Sequence, residues 1–340
     1  MVQSIVHQLI TDPLKQIRER AKSNKRCIVF PEGTEPRTLL AAKKITEDGM
    51  ADVILLGDKS QIAKAARENS VDLDSVDAIN PESSEQLDRF VAEFVKLRKK
   101  KGISLREAQQ TMMNPLYFGA MLVRKGIADA SVAGAVNTTG DVIRAALQVI
   151  GLKKGIKSLS SCFLMVIPEY RGEKNKVFLY ADCGVIPIPD SQQLADIATA
   201  TAGTFQSLFN SEPNVAFLSF STKGSARHVD VDKVIEAVKI FRKKHPELKA
   251  DGELQVDAAI VPEIAVRKTP HSEVAGKANI LIFPDLDAGN IAYKLTERLA
   301  NARAVGPILQ GLAKPATDLS RGCSVDDIVD AAAIACVMAL

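Results

Sequence analysis

Apolar and polar positions alternate along the chain with two different periods. Near the start, the apolar run Arg26–Phe30 ends at Pro31, and a segment with helical spacing at 36–48 and a second apolar run at 52–56 follow. Short apolar runs predict buried strands, whereas apolar residues three or four positions apart predict an amphipathic helix. This strand–helix–strand order is typical of a parallel sheet covered by helices, and it predicts an α/β fold.

The pattern changes once, after about residue 156. Two β-rich runs at 160–167 and 177–181, joined by charged residues, predict an antiparallel hairpin. We place a domain boundary near this change and a return of the chain near 305, which gives one domain of 1–152 plus 305–340 and another of 153–304. The other predicted elements are helices 3–22, 84–101, 105–112, 115–125, 141–150, 190–209, 230–243, 260–267 and 288–300, and strands 130–133, 215–220, 253–256 and 279–283.

A hydroxyl, a guanidinium and a flexible residue precede the last helix, as Ser320-Arg321-Gly322. Ser324 followed three residues later by Asp327 is a capping box, and apolar residues then recur at helical spacing. Free N–H groups at a helix start favour an anion. This stretch therefore predicts an anion site, although Asp327 could equally serve only as a cap, and Asp326 competes with it for that position.

Composition narrows the class of protein. The 340 residues include 44 basic and 41 acidic ones, a net charge of +3, which argues against a nucleic-acid-binding protein. Five widely spaced cysteines without a C-x-x-C pair favour a reducing cytoplasm over disulfides or structural zinc. The first 26 residues lack the apolar core of a signal peptide, and no run of about 18 apolar residues predicts a membrane span.

A second candidate anion site follows the strand 130–133. The loop Gly134–Gly140 contains small residues whose backbone N–H groups can approach a ligand, and Thr138 and Thr139 add hydroxyls. We expect Arg144 in the first turn of the next helix, close to any anion held there. A surface loop with an exposed arginine explains the pattern as well, and the loop matches neither a Walker nor a dinucleotide-binding motif.

A third candidate follows the strand 279–283, where open α/β sheets commonly bind ligands. Asn290, Lys294 and Arg298 are four apart and share one helix face, which also describes a solvated surface. Asp285 and Asp287 suggest a helix cap rather than a metal site, because no histidine or glutamate motif accompanies them. No metal is therefore expected.

Several long runs together resemble the phosphate acetyltransferases (phosphotransacetylases), in the short single-module form of the phosphate acetyl/butyryltransferase family. The resemblance covers essentially the whole chain, and its motifs occur in the family's order. They are F-P-E-G at 30–33, N-P-L-Y-F-G-A-M-L-V at 114–123, G-A-V-N-T-T-G-D-V-I-R-A-A-L at 134–147, I-F-P-D-L-D-A-G-N-I-A-Y-K at 282–294, and G-P-I-L-Q-G with K-P-A-T-D-L-S-R-G between 306 and 322.

The resemblance implies a fold and a reaction. The fold has two three-layer α/β/α domains with a cleft between them, like isocitrate and isopropylmalate dehydrogenases. The reaction moves an acetyl group reversibly between acetyl phosphate and coenzyme A, giving acetyl-CoA and phosphate, with no cofactor. The family also implies a homodimer. From this and from the cysteines, charge and hydropathy above, we expect a cytoplasmic protein with no nucleic-acid or membrane partner.

The resemblance further implies roles for individual residues. Asp327 corresponds to the base that takes the thiol proton, and Ser320 to a hydrogen-bond donor to the acetyl group or leaving phosphate. The functional arginines of the family, which hold acetyl phosphate or the phosphates of coenzyme A, match Arg98, Arg144, Arg298 and Arg321. Thr138, Asn290 and Lys294 match positions that line the phosphate site. From spacing alone, Arg98 is indistinguishable from the lysines that follow it at a helix end.

Alternatives remain open at this point. A phosphate butyryltransferase shares the fold and the chemistry, and a non-catalytic acetyl-CoA-sensing module or a metal-dependent decarboxylating dehydrogenase shares the fold. Cys323 lies near a helix start, where a thiol pKa is lowered, and it could form an acetyl-enzyme. None of the four histidines lies in the matched motifs to act as its base, so we expect direct attack by coenzyme A.

Overall fold

The computed structural model describes residues 12–340. The predicted helix 3–22 lies partly outside this range, and its described part is the helix Pro13–Ser23. Strands and helices follow each other along the chain, so the predicted α/β class is confirmed. In chain order the elements are α1 (Pro13–Ser23), β1 (Arg26–Phe30), α2 (Pro36–Glu47), β2 (Ala51–Leu56), α3 (Lys59–Glu68), β3 (Asp77–Ile79), α4 (Leu87–Arg98), α5 (Leu105–Met113), α6 (Pro115–Lys125), β4 (Ala130–Ala133), α7 (Thr139–Val149), β5 (Ser160–Tyr170), β6 (Glu173–Ala181), α8 (Ser191–Phe209), β7 (Asn214–Leu218), α9 (Val229–Lys244), β8 (Lys249–Leu254), α10 (Val256–Ile260), α11 (Pro262–Lys268), β9 (Ile280–Ile282), α12 (Leu286–Leu299), β10 (Arg303–Gln310), β11 (Ala316–Asp318) and α13 (Val325–Met338).

The described chain forms two compact units. Among the described residues, the first unit contains 14–155 and 312–340, and the second contains 156–311 together with residues 12 and 13. The predicted division into domains 1–152 plus 305–340 and 153–304 stays a prediction.

The first unit is built on parallel strands in the order β3-β2-β1-β4-β11. Aromatic and aliphatic side chains from α4 and α6, including Phe90, Phe94 and Phe118, form a buried cluster with Val29 of β1. The last helix, α13, is buried along nearly its whole length, from Ile328 to Val337. The buried residues of α13 are apolar except for Asp330, which is paired with Arg18, so the helix is anchored in the core and gives its N-terminus a fixed position.

The second unit begins with the predicted hairpin. Strands β5 and β6 pair antiparallel, and β10 runs antiparallel along the other edge of β5. Beyond β6 the strands β9, β7 and β8 are parallel. The core of this unit is a cluster around Phe178, Tyr180 and Phe283.

Several element predictions were wrong in detail. Helix α3 and strand β3 had no prediction, and the strand predicted at 253–256 ends at Leu254 after starting at Lys249. The helix predicted at 260–267 is α11, which starts at Pro262, and the short helix α10 before it had no prediction. Proline cannot donate a backbone hydrogen bond and therefore favours a new helix start at this point.

Candidate functional site

The signature loop joins β11 to α13 in the first unit. Strand β11 ends at Asp318, and Ser320 and Arg321 are exposed on the loop that follows it. The predicted capping box is present: the Ser324 side chain accepts from the Asp327 N–H at 3.2 Å, and Asp327 Oδ2 accepts from the Ser324 N–H at 2.8 Å. The rigid α13 therefore carries Asp327 at a fixed place beside this loop.

The two neighbouring aspartates of α13 have different partners. Asp326 accepts a hydrogen bond from Lys44 Nζ at 2.6 Å, which removes it from the cap. The Oδ2 atom of Asp327 also accepts the Ser324 hydroxyl at 2.8 Å. No residue in 12–340 hydrogen-bonds to Asp327 Oδ1, and the side chain is exposed. Capping thus occupies one oxygen and leaves the other available to a reacting group.

The loop after β4 already holds an anion that belongs to the chain. The carboxylate of Glu32, which is buried, accepts hydrogen bonds from four consecutive backbone N–H groups, Gly134 to Asn137, at 2.8–3.2 Å. The Asn137 side chain donates a further bond at 2.8 Å. The expectation that these N–H groups bind substrate was therefore wrong. Glu32 lies in the F-P-E-G run, but its partners are more than 100 residues away in sequence, so spacing gave it no role.

Thr138 is the N-cap of α7. Its hydroxyl accepts from the Asp141 N–H at 3.2 Å and donates to Asp141 Oδ2 at 2.7 Å. Helix α7 begins at Thr139, two residues earlier than predicted, and Arg144 therefore lies beyond its first turn. The exposed guanidinium of Arg144 pairs with Asp141 Oδ1 at 2.6 Å. The placement of Arg144 in the first turn was wrong.

Arg98 and Arg144 both act electrostatically on Tyr117. Burial raises the pKa of the Tyr117 phenol, the positive charges of Arg144 and Arg98 oppose that rise, and the negative charge of Asp141 adds to it. Arg98 is half-buried at the end of α4. Tyr117 also lines an open cavity of about 480 Å³ with Asn114. The structure thus brings together two of the predicted arginines, and it adds Tyr117, which sequence reasoning did not single out.

Arg37 ties the two loops of the first unit together. Its guanidinium donates to the carbonyl oxygens of Arg321 at 2.8 Å and Cys323 at 2.9 Å on the signature loop. It also donates to the carbonyl oxygen of Ala135 at 2.9 Å on the loop held by Glu32. Planar guanidinium groups can serve several acceptors at once, so Arg37 fixes the spacing between these loops.

Asp318, at the end of β11, is a second buried carboxyl group that sequence reasoning missed. It is 0% exposed, and Oδ2 accepts the Thr139 hydroxyl at 2.6 Å. Within the described residues its other oxygen, Oδ1, has no hydrogen-bond partner. Burial raises the pKa of Asp318 to about 7; the Glu32 carboxylate adds to the rise, and the Thr139 hydroxyl and the Leu319 N–H oppose it.

Cys323 is poorly suited to be a nucleophile. The residue is buried, and burial raises the pKa of its thiol despite the opposing charge of Arg37. The expected lowering by the helix start does not prevail. Because the thiolate is the reactive form, this argues against Cys323 as the nucleophile.

The remaining three predicted residues lie on α12 in the second unit. Asn290 Nδ2 donates to the Cys183 carbonyl at 3.1 Å, and Lys294 Nζ lies 4.9 Å from the centre of the Tyr293 ring. Arg298 is 80% exposed on its side chain, 3.7 Å from Glu297. Asp285 caps this helix by accepting a hydrogen bond from the Ala288 N–H at 2.8 Å, so the predicted cap at Asp285 is confirmed.

Metal sites and membrane-spanning helices are both absent from residues 12–340. No cluster of three or more histidine, cysteine, aspartate or glutamate residues with the geometry to hold a metal ion occurs in this range. Nor does any helix in it reach the length and apolar character that crossing a membrane requires.

Comparison with known proteins gives matches over nearly the whole chain. A family model described as "Phosphate acetyl/butaryl transferase" matches residues 13–336. A phosphate acetyltransferase of Thermoanaerobacterium thermosaccharolyticum is 50% identical, over 96% of this chain and 99% of that protein. Another from Acetivibrio thermocellus is also 50% identical, over 96% and 98%.

Solved structures agree with these matches. A phosphotransacetylase from Streptococcus pyogenes, 41% identical, superposes with a TM-score of 0.90 over 96% of this chain and 98% of that one. The EutD phosphotransacetylase from Staphylococcus aureus, also 41% identical, gives 0.89 over 97% and 98%. The resemblance found from sequence motifs is confirmed.

Proposed function

We infer that this chain, which belongs to the phosphate acetyl/butaryl transferase family, is a phosphate acetyltransferase. It transfers an acetyl group reversibly between acetyl phosphate and the thiol of coenzyme A. The observation that carries this inference is 50% identity to phosphate acetyltransferases over their full length. The loop that presents Ser320, Arg321 and Asp327 at the start of a buried helix supports it.

Asp327 is the proposed general base. A free thiol has a pKa of about 8.5, so only a small fraction is thiolate at neutral pH. Asp327 Oδ1 faces no competing hydrogen-bond partner within 12–340, so it can take the thiol proton. The sulfur then attacks the acetyl carbon, the C–O bond to phosphate breaks, and phosphate leaves with the bonding electrons. A positioned base of this kind typically contributes about 10²–10⁴ in rate.

Ser320 and Arg321 are proposed to stabilise the charge that develops during this step. Both side chains are exposed on the loop that precedes α13, and Arg37 fixes the backbone of that loop. A hydroxyl or guanidinium aimed at the developing oxyanion stabilises the transition state more than the ground state. We assign Ser320 to the acetyl oxygen or leaving phosphate and Arg321 to the phosphate.

Arg98 and Arg144 are proposed to bind the anionic substrates. Both guanidinium groups act electrostatically on Tyr117, and Arg144 is also paired with Asp141. Guanidinium groups remain charged and bind phosphate oxygens in pairs. Thr138, Asn290, Lys294 and Arg298 remain proposed substrate-binding residues on the family resemblance alone.

The chemistry requires no cofactor or metal, because acetyl phosphate is already an activated acyl donor. We further propose a cytoplasmic homodimer with the isocitrate dehydrogenase-like architecture. The free state of all five cysteines, at 27, 162, 183, 323 and 336, fits a reducing compartment. The dimer and the architecture rest on the family resemblance.

The test is direct. Purified protein is mixed with coenzyme A and acetyl phosphate, and formation of the thioester is followed, with butyryl phosphate in a parallel reaction. We expect thioester formation with a clear preference for acetyl phosphate. No thioester from either donor would overturn the assignment, and a preference for butyryl phosphate would move it to the butyryl enzymes.

A further inference from the structure

The loop after β4 has few hydrogen-bond donors left for a substrate. Glu32 takes the backbone N–H groups of Gly134 to Asn137. The single hydroxyl proton of Thr138 goes to Asp141 Oδ2. The next hydroxyl along the chain, that of the exposed Thr139, has a different partner, the buried carboxyl group of Asp318.

The pair of Thr139 and Asp318 links the surface to the core. Thr139 is exposed, Asp318 is 0% exposed, and the Thr139 oxygen lies 2.6 Å from Asp318 Oδ2. Asp318 Oδ1 is buried without a hydrogen-bond partner among residues 12–340. Burying a carboxyl group with so few donors is costly when the group is charged, and an asparagine would bond to Thr139 without that cost.

The protonation of Asp318 decides what Thr139 offers to a ligand. A hydroxyl has one proton and two lone pairs. When Asp318 is ionised it can only accept, so Thr139 must direct its proton inward and present lone pairs outward. When Asp318 is protonated it can donate to the Thr139 oxygen, which frees the hydroxyl proton to point outward.

We propose that Asp318 is a positioning residue that sets the direction of the Thr139 hydroxyl, so that Thr139 donates a hydrogen bond to a phosphate oxygen of acetyl phosphate when Asp318 carries a proton. The inference rests on the proposed function. Both residues are next to proposed site residues in the chain. Asp318 precedes Ser320 of the signature loop by two positions, and Thr139 directly follows Thr138. Thr139 here is a binding residue, and Asp318 acts through it.

The surroundings of Asp318 bring its titration near neutral pH. Glu32 is the ionisable group acting on it in the described chain, Thr139 and Leu319 supply uncharged donors, and β4 contributes Ala133 beside it in the sheet. Burial and Glu32 together bring its pKa to about 7. Affinity for acetyl phosphate should therefore fall as the pH rises through 7, and bound anion should in turn favour the protonated form.

The experiment measures the KM for acetyl phosphate at pH 6 and pH 8 in four proteins: wild type, Thr139→Ser, Thr139→Val and Asp318→Asn. A hydrogen bond to a charged group supports about a tenfold effect. We expect the KM of wild type and Thr139→Ser to rise about tenfold from pH 6 to pH 8. Thr139→Val should have the high KM at both values, and Asp318→Asn should lose the pH dependence.

Comparing the four proteins at the same pH removes the effect of the substrate's own titration. The KM for coenzyme A is an internal control, and we expect it not to show this pattern. Thr139 is exposed, so its variants decide the matter even if Asp318→Asn does not fold. A wild type that forms no thioester would refute the proposed function itself. An active wild type whose pH dependence is shared by Thr139→Val would overturn this inference alone.

Discussion

Glu32 and Asp318 are two buried carboxyl groups that act on the same loop, yet their surroundings differ. Glu32 accepts from the backbone N–H groups of four consecutive residues and from the Asn137 side chain. Within 12–340, Asp318 accepts one side-chain hydroxyl, the Leu319 N–H is the only other donor that acts on it, and Oδ1 has no hydrogen-bond partner. A carboxylate surrounded by donors organises the backbone, whereas one with few donors exchanges a proton near neutral pH.

The second unit repeats the first of these two arrangements. Asp182, buried after β6, accepts the Ser161 hydroxyl at 2.6 Å and the N–H groups of Gly184, Val185 and Ile186 at 2.8–3.3 Å. A buried carboxylate that gathers loop N–H groups thus occurs in both units. Asp318 departs from that pattern, which is why we assign it a functional rather than an organising role.

The largest expected effect is on Glu32→Gln. The amide offers only one acceptor oxygen and brings two donors among the N–H groups of Gly134 to Asn137, so buried donors lose their partners. We expect a loss of about 3–5 kcal/mol in the free energy of unfolding, measured by denaturant titration. Glu47→Gln, at an exposed helix end, is the matched control. A loss below about 0.5 kcal/mol, the usual range for surface substitutions, would show that Glu32 does not organise the loop.

The second largest effect is a pH dependence of stability that we expect at Asp318. The pKa of Asp318, about 7, exceeds the ordinary value of 3.8, so between these pH values the folded chain binds more protons than the unfolded chain. The contribution of Asp318 to the free energy of unfolding therefore falls as the pH rises toward 7. Above pH 7 the folded chain bears the full cost of a buried, charged Asp318. Asparagine does not titrate. Relative to wild type, Asp318→Asn should gain about 2–3 kcal/mol of stability between pH 5 and pH 8. An equal difference at both pH values would mean that Asp318 does not titrate in this range.

The smallest effect concerns Asp327, the exposed carboxylate. Ser324→Ala removes the N-cap hydroxyl but leaves the Asp327 carboxylate in place. We expect a loss of about 1 kcal/mol in thermal or denaturant unfolding and retention of most turnover. Loss of turnover comparable to that of an Asp327 variant would show that the cap, rather than a free carboxylate oxygen, is what activity requires.

Local patterns in the sequence predicted local structure well. The spacing of Ser324 and Asp327 predicted the cap, and the apolar residues after them predicted α13; both are confirmed. The hairpin of β5 and β6 was predicted from two β-rich runs and is confirmed. Each of these features depends on residues that are close together in the chain.

The long-range features of the site could not be predicted in the same way. Glu32 and its N–H donors are more than 100 residues apart, and Thr139 and Asp318 are 179 apart. No spacing rule connects such positions, and an acidic residue at a strand end looks the same whether it is solvated or buried. The loop after β4 resembles either an anion site or a surface loop in sequence, because the internal carboxylate that occupies its N–H groups comes from the end of a distant strand.

The central claim is that Asp327 takes the thiol proton, and turnover of Asp327→Asn beside Asp326→Asn tests it most directly. The two residues are adjacent and exposed, but Asp326 bonds to Lys44. With acetyl phosphate and coenzyme A at pH 7, the account predicts that Asp327→Asn loses about 100-fold or more in kcat with little change in KM, and that Asp326→Asn stays within about twofold of wild type. An Asp327→Asn protein that turns over like wild type would contradict it.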